Sequence, residues 1–149
     1  MEIAEQFYST SSDPGQIPIT EESFRRLMSI HKETIKLKAD KDGNPVSWVV
    51  VVPTSKKIME LFLDSKISEK ELFDKAVQEK RFEALYLCSG FTLPEFRNTG
   101  YAMALFTEAI NEFAKDDSVA LYAWLYSKEG EGLFNKAKNL LNREVRVRK

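Results

Sequence analysis

The chain has few of the residues from which a cross-linked or metal-held fold is made. One cysteine, Cys88, and one histidine, His31, stand in 149 residues. A single cysteine closes no intrachain disulfide, and the pair falls short of the ligand set of a structural zinc site. Long apolar runs are also missing. Runs such as Trp48 to Val52 are far below the ~20 residues of a membrane helix, and residues 1–5 lack the basic start and apolar stretch of a secretory signal. Charge of one sign is not in excess: 22 Lys and Arg against 23 Asp and Glu leave a net charge of −1, so no global field gathers polyanions. The expectation is a cytoplasmic protein that needs no metal, stands on packing alone, and is suited to neither nucleic acid nor membranes.

Apolar material is plentiful, with 43% hydrophobic and 11% aromatic residues, enough to offset chain entropy by burial. The length fits one domain. The polar breaker cluster from Ser9 to Gly15 makes residues 1–19 a loop-rich arm, and residues 20–149 a single domain. Within it, Thr20 before Glu21 and Glu22 opens a helix that ends near His31. Alternation over 34–39, the Asp42-Gly43 turn and the β-branched run over 46–52 form a hairpin whose second strand is apolar on both faces, hence interior. Two helices follow, over 56–64 and from Ser68, where Ser68-Glu69-Lys70-Glu71 is a capping box. A strand over 84–92, an amphipathic helix over 99–114 and a strand over 119–126 make a βαβ unit. A helix over 129–141 and a strand over 144–148 complete an α/β domain with a mixed, mostly antiparallel sheet flanked by helices.

The stretch that carries chemistry joins the strand over 84–92 to the next helix: Leu93-Pro94-Glu95-Phe96-Arg97-Asn98-Thr99-Gly100-Tyr101-Ala102. Pro94 ends strand pairing, Gly100 admits a ligand close to the backbone, and the first amides of the helix point back at the loop, an arrangement that favours phosphate. Arg97-x-x-Gly100-x-Ala102, preceded by Pro94-Glu95-Phe96, resembles the pyrophosphate motif of the GNAT superfamily of acetyltransferases. Leu133-Phe134-Asn135-Lys136-Ala137 resembles a second segment of that family, on its late helix, and the order of elements over residues 20–148 is also similar.

The resemblance implies an acyl-CoA N-acyltransferase fold and acetyl-CoA as co-substrate, with its acetyl group passed directly to an amine acceptor. It places the pyrophosphate on the amides of Asn98, Thr99, Gly100, Tyr101 and Ala102, with Arg97 beside them. Phe91, Thr92 and Leu93 would bond the pantetheine arm between splayed strands, and Phe134 and Lys136 would border the cofactor. Where the family often carries a tyrosine acid the chain has Phe134, and where it often carries an asparagine the chain has Ser127. Tyr122 and Tyr126, on one face of their strand, are therefore the candidate acids, with Ser127 beside them; an aromatic face packed on a helix is the competing reading. The same departures leave open a CoA-binding or partner-binding domain without transfer activity. The acceptor, the acyl length and a homodimer are open as well. Cys88, with no activating neighbour in sequence, is expected to be an inert buried thiol, and His31 to complement a helix C-terminus.

Overall fold

The computed structural model describes residues 21–96, 99–114, 118–124, 135 and 144–148. Helix α1 (Glu21–Ile30) starts with two glutamates, whose charges suit the positive end of the helix dipole, and turns Leu27 and Ile30 inward. Strands β1 (Ile35–Ala39) and β2 (Pro45–Thr54) form the expected antiparallel hairpin. Its turn is held by the Asp40 carboxylate, which accepts the amides of Asp42 and Asn44 at 2.9 Å each. All ten residues of β2 are buried. A run that is apolar on both faces requires cover on both faces.

Two helices follow. Helix α2 (Lys56–Leu63) is capped by Ser55, whose hydroxyl accepts the Ile58 amide. Helix α3 (Glu69–Glu79) has the full capping box: the Ser68 hydroxyl accepts the Glu71 amide, and the Glu71 carboxylate accepts the Ser68 amide. Such a cap is worth ~1 kcal/mol. Strand β3 (Ala84–Thr92), a 3-10 turn (Pro94–Phe96), helix α4 (Tyr101–Phe113), and strands β4 (Ala120–Trp124) and β5 (Val145–Arg148) complete the described chain.

The sheet runs in the order β1-β2-β3-β4-β5. Its first two pairings are antiparallel, whereas β3–β4 and β4–β5 are parallel. Among the described residues the sheet is therefore mixed, as expected, with the antiparallel ladders the longer and two of the four pairings parallel. The reason lies in the connections. Only Asp42-Gly43 makes a local hairpin, and a parallel neighbour demands a long crossover, which α4 supplies between β3 and β4. Of the helix expected over 129–141, only Asn135 is among the described residues, and it is helical.

Alternation along the strands makes two cores. On one face Val50, Val52, Tyr86, Cys88 and Tyr122 pack against α1, α2 and α3 through Leu27, Phe62 and Leu72. On the other, Val49, Val51, Leu85 and Leu121 pack against α4 through Leu105, Phe106 and Ile110. Each such side chain contributes ~1.5–3 kcal/mol by leaving water. Helix α4 is thereby fixed with its N-terminal end near the loop that leaves β3. Among the described residues no helix is long and apolar enough to cross a membrane.

Candidate functional site

Among the described residues the parallel ladder between β3 and β4 runs from Ala84↔Ala120 to Leu87↔Ala123. Strand β3 continues for five more residues, from Cys88 to Thr92, along β2. The register with β2 shifts at the same place: Ser89 faces Val50 and Leu87 faces Val51, so Cys88 is the extra residue of a β-bulge. A bulge bends its strand and raises its twist. Here it falls directly after Leu87, the last β3 residue with a described partner in β4.

Hydrogen-bond alternation identifies which main-chain groups of this stretch face away from β2. The Leu93 amide donates to the Val46 carbonyl at 2.9 Å. In an antiparallel ladder bonded and non-bonded pairs alternate, so Leu93 and Phe91 direct their N–H and C=O groups to β2, and Gly90 and Thr92 direct theirs away from it. Of the three residues expected to bond a pantetheine arm, only Thr92 thus directs its main chain away from β2; Gly90, which sequence reading passed over, joins it. The Thr92 side chain is held by the Ser47 hydroxyl at 2.9 Å. Gly90 is required by packing on its other side, since a Cβ there would lie 3.0 Å from Cε2 of Phe106.

The loop after β3 is tightened by two bonds. The Phe96 amide donates to the Leu93 carbonyl at 2.9 Å, and the Thr99 hydroxyl donates to the Phe96 carbonyl at 2.6 Å. Gly100, the N-cap of α4, has φ +83°, a left-handed conformation that favours glycine. Having no side chain, it gives the first-turn amides of Tyr101, Ala102 and Met103 no oxygen. A Cβ at Gly100 would meet nothing within 4 Å. The backbone is open on that side.

Lys38 joins this helix start from a distant part of the sequence. Its ammonium lies 5.6 Å from the centre of the Tyr101 ring, and that ring stacks on Phe96 at 6.2 Å. In sequence Lys38 is one of two lysines alternating on an edge strand, which reads as protection of that edge. Nothing local connects it with residue 101.

Tyr122, a candidate acid, is a core residue with 0% exposure. Its hydroxyl shares a 2.7 Å hydrogen bond with that of Thr54, and its ring lies 5.2 Å from that of Tyr86. Burial, chiefly, raises its pKa well above the ordinary phenol value, against the opposing effect of the Thr54 bond. Its place is that of a packed aromatic. The other predicted residues, Tyr126, Ser127, Arg97, Asn98, Phe134 and Lys136, lie outside the described residues.

The Cys88 thiol is buried, and its pKa is pushed up first by burial and then by the charge of Glu69. It stays a thiol. Glu69 is the one buried carboxylate among the described residues, with 3% exposure, and the Tyr86 hydroxyl donates to its Oε2 at 2.5 Å, the short distance of a charge-assisted bond. The strand itself has no acid, so α3 brings one to it. Glu69 sits inside the capping box in sequence, where a first-turn glutamate is ordinarily a solvated partner of the helix dipole, and only the packing of α3 on β3 reveals its burial. His31 ends α1, its amide donating to the Leu27 carbonyl at 3.2 Å, and its Nδ1 accepts the Glu33 amide at 3.0 Å. It stands against Phe113 at 4.8 Å.

The described arrangement offers, beside one another, a stretch of β3 whose Gly90 and Thr92 main-chain groups face away from β2, a helix start that favours an anion, and an exposed lysine. These are means of holding an extended amide chain that carries phosphate. No protein-family model matches the chain, and a search of curated proteins returns no match.

Proposed function

We propose that the chain is an acetyl-CoA-dependent N-acetyltransferase of the GNAT type, passing the acetyl group directly to an amine. The observation that carries the proposal is the Gly100 helix start, left-handed and without a side-chain cap, one short loop after the part of β3 that carries the Cys88 bulge. The motif-like residues 94–102 and the geometry thus point to one ligand. The diphosphate would rest on the first-turn amides of α4 beside Lys38. The pantetheine amides would bond the main chain of Gly90 and Thr92.

The chemistry asks little more of the side chains. The amine nitrogen, neutral when it attacks, forms a C–N bond to the thioester carbonyl carbon, the C–S bond breaks, and the thiolate leaves. One ammonium proton must then be lost. Main-chain N–H groups of β3 that face away from β2 are suited to stabilise the carbonyl oxygen as charge grows on it. A thiolate is a tolerable leaving group near neutral pH, since thiol pKa values lie near ~8.5, so a general acid at position 134 is not essential. Holding both reactants in line supplies much of the rate.

The test is release of CoA thiol on mixing the protein with acetyl-CoA and a panel of primary amines. Turnover with at least one amine supports transfer. Binding of acetyl-CoA without turnover across the panel supports the second reading, a CoA-binding domain without activity, which is favoured by Phe134 and by the burial of Tyr122. Phe134→Tyr separates the two further, because a gain in turnover marks a weakened enzyme.

A further inference from the structure

We infer that the rings of Phe62 and Trp124 form a seat for an organic cation of the acceptor, covered in this structure by the chain's own Arg148; the word acceptor rests on the acyl-transfer reading above. The guanidinium carbon of Arg148 lies 4.5 Å from the centre of the Phe62 ring and 4.6 Å from that of Trp124. The two rings meet edge to face, 6.1 Å apart. Both distances are within the ~6 Å over which an aromatic face attracts a cation. The seat therefore selects charge and flatness, and its walls are set by the packing of α2 on the sheet.

Arg148 itself is loosely held by other means. Its polar contact is a long one, from Nε to the Ser65 hydroxyl at 3.4 Å, and among the described residues no carboxylate pairs with it. Arg146, two residues earlier on the same face, shows the alternative. Its guanidinium donates to both carboxylate oxygens of Glu60 and ties β5 to α2. With that tie made by Arg146, Arg148 can be exchanged for another cation without opening the sheet.

The location makes the exchange useful. Trp124 directly follows Ala123, the last residue of β4 with a described partner in β3, and the proposed thioester lies beyond that end of the described ladder. A nitrogen must be neutral to attack a carbonyl, whereas an aromatic face favours the charged form. The group seated on these rings is therefore an anchor and not the nucleophile. The acceptor that fits carries two nitrogens, as an aliphatic diamine or an aminoalkylguanidine does.

The chain has two tryptophans, so Trp48→Phe leaves Trp124 as the reporting indole. Titration of that protein with 4-aminobutylguanidine should give a saturable change in emission, and 1-butanol none. Arg148→Met should tighten the guanidine about fivefold, because a competing cation is removed, while Arg148→Lys should match the parent within about twofold. If Arg148→Met does not keep the parent circular dichroism, the parent and the lysine variant carry the test. Absence of a saturable change in either folded protein, or equal affinity in the parent and a folded Arg148→Met, overturns the inference. Acetyl-CoA titrated separately keeps the two readings distinct. Its binding without a guanidine response overturns the cation seat alone, and a guanidine response without acetyl-CoA binding retains the seat and overturns acyl transfer.

Discussion

Leu87 faces Ala123 in the parallel ladder between β3 and β4, and the residue after Leu87, Cys88, is the bulged residue of the ladder on the other side of β3. Beyond the bulge, Gly90 and Thr92 direct their main-chain groups away from β2. The proposed course of an extended ligand follows that stretch.

Gly90 should tolerate no side chain. A methyl group at that position would meet Phe106 at 3.0 Å and Val49 at 3.4 Å, and β2 and α4 leave the strand little room to shift. Gly90→Ala is expected to cost ~1–3 kcal/mol, read as a lower urea midpoint with an unchanged slope.

Gly100 should behave differently. Its left-handed φ makes alanine a strained choice, but asparagine adopts that region more readily, and the space beyond is open. Gly100→Asn is therefore expected to fold with nearly the parent stability while weakening acetyl-CoA at least tenfold, measured by calorimetry. Unchanged affinity would move the phosphate site elsewhere.

Lys38→Met should weaken acetyl-CoA about threefold to tenfold at low ionic strength and less at 0.5 M salt, as expected for an exposed charge. A truncated ligand without phosphates should be bound equally by both proteins. The contrast between the two ligands isolates the charge.

Tyr122 and Cys88 set an alkaline limit on stability. Both acids have folded pKa values raised above their unfolded ones, so their neutral forms are favoured in the fold. Their contribution is complete below the unfolded values, near ~8.5 for the thiol and ~10 for the phenol, and is lost as pH rises towards the folded ones. The melting temperature should fall above about pH 9, less steeply in Cys88→Ala. Tyr122→Phe, which leaves Thr54 without that partner, should cost ~1 kcal/mol at pH 7 and leave turnover unaltered.

The elements near each turn or cap were legible because their signals are local. The capping box at Ser68 and Glu71, the hairpin at Asp42-Gly43 and the two-faced apolar run of β2 each state their structure within ten residues. What the sequence withheld depends on partners far along the chain. The bulge at Cys88 is a matter of register with Val50 and Val51. The burial of Glu69 depends on Tyr86, and the position of Lys38 on the crossing of α4 over the hairpin. The equal share of parallel pairs likewise follows from crossovers, which no short pattern encodes. Of the candidate site, residues 99–102 are proposed from the motif, whereas Gly90 needs the ladder to show that its main chain faces away from β2.

The most direct test is calorimetric titration of the full chain with acetyl-CoA. The account predicts one saturating site with a dissociation constant below about 1 mM, in the range of enzyme substrates, and a marked loss of affinity in folded Gly100→Asn. No heat of binding at millimolar acetyl-CoA would contradict it.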